Sequence, residues 1–65
     1  MQIFTHLPDE PVWEIARRMT EMANEKKDTI TSRFNGVELI ARPSRVPQYE
    51  AARIVVRYAD TIGIK

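Results

Sequence analysis

"TITSRFNGVELIAR", residues 29–42, holds two alternating runs on either side of Asn35-Gly36. Asn-Gly between strand-like runs predicts a two-residue type I′ hairpin, because both central positions need positive φ, which Asn tolerates and Gly adopts without strain. Such a turn sets the register: Phe34 faces Val37, Arg33 faces Glu38, Ser32 faces Leu39 and Ile30 faces Ala41. The period of two then sorts Ile30, Ser32, Phe34, Val37, Leu39 and Ala41 onto one face and Thr31, Arg33, Glu38, Ile40 and Arg42 onto the other. The first is a core face and the second a wet face, with no shift of register needed.

The hairpin is flanked by helical patterns. Pro8-Asp9-Glu10-Pro11 reads as a helix start, since an acidic side chain can cap free backbone N–H groups and a proline in the first turn gives up no intrahelical bond. Val12, Ile15, Ala16, Met19, Met22 and Ala23 recur at helical spacing as one apolar stripe. Glu14, Arg17, Arg18, Glu21 and Glu25 fall opposite, with Glu14–Arg18 and Arg17–Glu21 placed for i,i+4 pairing. Periodicity fails over 24–29, where the exit turn belongs. After the hairpin, Pro43-Ser44-Arg45-Val46-Pro47 reads as a connector, because its prolines obstruct a helix or a central strand. A second helix follows, with Ala51, Ile54, Val55, Tyr58, Ala59 and Ile62 inward and Gly63 as its stop. The opening MQIFTHL has strand character through Ile3, Phe4 and Thr5 and can add a third strand. The expected fold is therefore α+β: helix, β-hairpin, helix (αββα), to which the N-terminal segment can add a strand.

The 65 residues allow a single domain, 1–65, and a chain of that size buries only about 60% of the surface its unfolded form exposes. With 43% hydrophobic and 29% charged residues there is material for one small core, and the composition is not that of a disordered chain. Cysteine is absent, which excludes a disulfide framework and thiolate zinc sites and fits a reducing cytoplasm. The N-terminus carries neither a basic leader nor a long apolar run, and no stretch approaches the roughly 20 apolar residues of a membrane span. A net charge of +1 announces neither nucleic acid nor membrane, although residues 1–32 sum to −2 and residues 33–65 to +3. Two strands alone are marginal. Either the N-terminal segment adds a strand, or an edge pairs with another protein or with a second copy as a homodimer.

Chemistry-bearing residues are sparse. His6 is the only histidine and has no nucleophile or second ligand beside it in the pattern, so it reads as a surface residue near a helix start. Ser32 and Ser44 read as locally hydrogen-bonded. Glu10 and Glu14 lie one turn apart but lack the third ligand a metal needs. Gly36 and Gly63 are the only glycines, so there is no phosphate-cradling loop. No enzyme, cofactor or metal site is implied. The arginines are more informative: Arg33 and Arg42 share the outer face of the hairpin, Arg45 follows in the connector, and Arg53 and Arg57 form an i,i+4 pair on the second helix. Glu38 is placed to pair with Arg33 and Glu50 with Arg53, and no aromatics interleave with the arginines as they do on a base-stacking platform. Trp13, Ile40, Tyr49 and Val56 are apolar residues at margins or outer positions; Trp13 is expected to complete the core.

The run "ITSRFNGVELIARPS", residues 30–44, resembles small uncharacterised proteins encoded by bacteriophages and prophages, with Phe34, Asn35, Gly36, Leu39 and Pro43 as anchors. Ser44 stands where such proteins often place a glycine. The resemblance implies a phage or bacterial intracellular setting and supplies no catalytic residue. The expectation is a non-catalytic protein-binding module, a phage accessory protein that modulates or inhibits a host factor or defence complex by steric occupation. Its contact residues would be Arg33, Glu38, Ile40, Arg42 and Arg45. The alternative is a small nucleic-acid-binding module using Arg33, Arg42, Arg45, Arg53 and Arg57.

Overall fold

The computed structural model describes residues 1–7 and 9–63. In chain order it contains β1 (Gln2–Ile3), α1 (Val12–Lys26), β2 (Ile30–Phe34), β3 (Val37–Ala41) and α2 (Pro47–Ile62). Pro8 of the helix-start signal and Lys65 of the basic half lie outside the described residues. Asn35 and Gly36 have φ of 51° and 80°, so both central turn positions are left-handed and the reversal is as tight as the Asn-Gly pair predicts. The register follows from it: Ile30 opposes Ala41, Ser32 opposes Leu39, Arg33 opposes Glu38 and Phe34 opposes Val37.

The N-terminal strand is present but short. It pairs parallel with β2, Gln2 beside Ile30 and Ile3 beside Thr31, giving a three-stranded sheet of order β1-β2-β3. β2 is therefore central and β3 is an edge. α1 packs on β2 and β3, and α2 on β3 and on α1, so both helices cover the same face of the sheet. Ile15, Ala16 and Met19 of α1, Ile30 and Leu39 of the sheet and Ile54 of α2 meet there in the core, joined by Phe4 and Tyr58. Burial of each large aliphatic side chain contributes roughly 1.5–3 kcal/mol.

Several local expectations are corrected. α1 begins one residue after Pro11, which is its N-cap and makes no side-chain cap, so no acidic residue caps the helix. Glu10 turns away instead. Its carboxylate accepts from the Leu7 backbone N–H at 2.8 Å and from Arg18 Nη1 at 2.9 Å. Glu14 pairs with Arg17 rather than with Arg18, because Arg18 is already held by Glu10. α1 ends inside the expected turn, on Lys27 in the left-handed conformation with φ 52°. Pro47 does not obstruct a helix: it opens α2 at the first position, where a missing N–H costs nothing. Gly63 closes α2 with φ 79°. Ile62 points out, and Ser32 Oγ is buried with no hydrogen-bond partner among the described residues, so it is not locally satisfied. Ser44 is: its hydroxyl donates to the Val46 carbonyl and accepts from the Val46 N–H.

Candidate functional site

With both helices on one side, no layer of the described residues covers the other face of the sheet. Period-two alternation places Thr31, Arg33, Glu38 and Ile40 there, and Ile3, paired beside Thr31, extends the face across β1 with its side chain 82% exposed. Ile40 is half-buried, flanked in register by Thr31, and is less prominent than its outward position suggests. Arg33, Glu38, Arg42 and Arg45 are all exposed. Arg33 and Glu38 stand opposite each other in the ladder yet make no ion pair among the described residues, so neither charge is neutralised by contact. Of the five expected contact residues, the sheet brings Arg33, Glu38 and Ile40 onto one surface. Arg42 continues β3, and Arg45 lies beyond it in the connector.

The strand edges are treated differently on the two sides. In a two-residue hairpin the closing pair Phe34–Val37 exchanges hydrogen bonds, so alternate residues of β2 and β3 turn their backbone groups away from each other. On the β2 side every outward carbonyl finds a donor: Thr29 O takes Gln2 N–H at 2.9 Å, Thr31 O takes Phe4 N–H at 2.7 Å, and Arg33 O takes His6 Nε2 at 2.9 Å. The imidazole thus continues the β1–β2 ladder in place of a backbone amide. His6 Nδ1 lies 2.7 Å from the Leu7 carbonyl, so each ring nitrogen faces an acceptor, and only the imidazolium can donate to both. These two carbonyls hold the His6 pKa above its ordinary value of 6.5. With both nitrogens engaged and the ring inclined at 62° to Phe34, centroids 5.4 Å apart, His6 is a structural clasp, a role invisible in a sequence where Arg33 lies far along the chain.

On the β3 side, the Arg42 N–H donates to Glu50 Oε2 at 3.1 Å. Glu50 is only 8% exposed and also receives Arg53 through Nε at 3.1 Å and Nη2 at 2.6 Å. The Arg53 guanidinium, followed by burial acting in the opposite direction and then the Arg42 amide, leaves the Glu50 carboxyl below its ordinary range. The preceding outward positions, Glu38 and Ile40, have no backbone partner among the described residues. Next to them a cleft of about 310 Å³ lies between β3 and α2, walled by Leu39, Ile54, Tyr58 and Thr61, with Arg57 beside it. Asn35 Nδ2 donates to Tyr58 Oη at 3.0 Å, fixing the hairpin tip to the last turns of α2 and setting the mouth of this cleft.

A second surface was not expected. Trp13 is 58% exposed and does not complete the core; with Pro47, Ala51, Val55 and Val56 it lines a groove between the outer sides of α1 and α2, edged by Arg17 and Glu21. The stripe of α1 is already filled by Val12, Ile15 and Ala16, which leaves the indole outside. Glu10 and Glu14 face separate arginines, and among the described residues no three His, Cys, Asp or Glu side chains are grouped to hold a metal. No helix among the described residues is long and apolar enough to cross a membrane. Comparison with protein-family models, with curated proteins and with solved structures finds no match.

Proposed function

We propose that the chain is a non-catalytic protein-binding module that acts by covering a surface of its partner, using the open sheet face around Arg33, Glu38, Ile40 and Arg42 with Arg45 beside it. The resemblance of residues 30–44 to phage and prophage proteins suggests a phage accessory protein working in the cytoplasm on a host factor or defence complex. The observation that carries the reading is the uncovered face itself. It combines apolar Ile3 and Ile40 with charges that have no ion-pair partner among the described residues, and those charges can be desolvated against a complementary surface without first breaking such a pair. A nucleic-acid role for the arginines has less support. Arg53 is bound by Glu50, which removes one cation of the set, and Glu38 sits among the others.

Affinity capture from host lysate tests the proposal, with Arg42→Glu and Ile40→Asp as controls. Loss of the captured partner in both variants is the expected result, and undiminished capture by both would remove this face from consideration. Titration with random duplex and single-stranded DNA over a salt series separates the other reading, since binding that weakens steeply with salt would favour nucleic acid.

A further inference from the structure

The edge of β3 and the cleft beside it lie apart from the outer side chains of the sheet. Glu38 and Ile40 present backbone donors and acceptors with no partner among the described residues, between a turn on one side and the Glu50-capped Arg42 amide on the other. An exposed edge of this kind is a template for one more strand. Directly inward of it lies the cleft of about 310 Å³, with Leu39 and Ile54 as its apolar floor. Arg57, in its wall, is exposed and makes no ion pair among the described residues.

We propose that this edge and cleft take an extended acidic peptide as an added antiparallel strand. Its backbone pairs with Glu38 and Ile40, an apolar side chain opposite Leu39 enters the cleft, and an acidic side chain two residues later, opposite Val37, meets Arg57. The two side chains share a face because a strand alternates, and Arg57 lies toward the turn because its neighbour Tyr58 is bound to Asn35. Charge complementarity selects the acid. A second copy fits the edge poorly: its Leu39 and Ala41 are already buried under its own helices and cannot fill the cleft, and its Arg57 would face the same joint as the first. The inference rests on the protein-binding reading but uses the strand edge, so the two can fail separately.

The test is a titration of the ¹⁵N-labelled chain with a short capped peptide, threonine-rich apart from a central Leu-Thr-Glu. Shifts should centre on the Glu38, Leu39 and Ile40 amides, and a Leu-Thr-Lys peptide should bind about tenfold more weakly. Arg57→Glu should reverse that preference. Ile40→Pro should abolish binding while leaving the ladder intact, since the lost N–H points away from β2. The peptide N-methylated at its central threonine makes the same point without altering the protein, and should not bind. Arg33→Glu and Arg42→Glu should bind the peptide normally even where they lose the partner of the outer face. Shifts confined to other surfaces, no binding, equal affinity for the acidic and lysine peptides, or a sedimenting dimer that Ile40→Pro dissolves would each overturn the proposal.

Discussion

Replacing Gly36 by alanine in its L and its D form isolates the one backbone requirement on which the sheet depends. Gly36 has φ 80°, in the region that L side chains disfavour, while a Cβ at this position would meet nothing within 4 Å. Steric contact therefore contributes nothing, and the whole effect of Gly36→Ala comes from the backbone. An L residue held in the left-handed region costs about 1 kcal/mol. A D residue favours that region and narrows the unfolded ensemble, so it should stabilise by up to about 1 kcal/mol. The two forms, which have the same composition, should differ by about 2 kcal/mol. For a domain of this size that is a gap of roughly 8–16 °C in Tm. At 65 residues the chain is accessible to total chemical synthesis, and thermal melts followed by circular dichroism would read the difference. Equal Tm values for the L and D forms would refute the left-handed turn, and with it the register that places Arg33, Glu38 and Ile40 together.

Other outcomes follow from polar groups held within the fold. Ser32→Ala should raise stability by about 1 kcal/mol, because it removes a buried hydroxyl without a partner and leaves only a small void; a loss of 1 kcal/mol or more in urea denaturation would show that the hydroxyl is satisfied after all. Stability should also fall on either side of the window between pH 4.5 and pH 6.5. Glu50 has a lowered pKa, so its contribution is complete above its ordinary value of 4.5 and is lost as pH falls through the lower folded value. His6 has a raised pKa, so its contribution is complete below 6.5 and is lost as pH rises through the higher folded value. Glu50→Ala should cost about 2 kcal/mol near neutrality through the lost bonds to Arg42 and Arg53 and should flatten the acid limb. An NMR titration midpoint for His6 at or below 6.5 would contradict the double carbonyl clasp.

Much of the architecture was legible in the sequence because it is set by local rules. The Asn35-Gly36 turn fixes register within a few residues, and alternation around it assigns Ile30, Leu39 and Ala41 inward without reference to the rest of the chain. Helical spacing likewise placed Ile15, Met19 and Ile54 in the core. Local pairing was read less well, since i,i+4 spacing favours Glu14 with Arg18 only while Arg18 has no other partner, and Glu10 supplies one through the fold.

What tertiary structure alone decided is which of these surfaces are covered. Sequence periodicity says that Trp13 sits beside an apolar stripe, but whether the indole is buried depends on how closely α2 approaches α1, a distance no pattern in either helix encodes. In the same way His6 reads as an ordinary surface residue until the chain brings the Arg33 carbonyl to it, and Glu50, placed by local spacing to pair with Arg53, takes the Arg42 amide as well only through the fold. Turn chemistry and side-chain period act over a few bonds and are written in neighbouring residues. The satisfaction of an outward-facing amide or carbonyl depends on groups distant in the chain, and only the folded arrangement pairs the outward side of β2 with the N-terminal segment while leaving Glu38 and Ile40 of β3 without a backbone partner among the described residues.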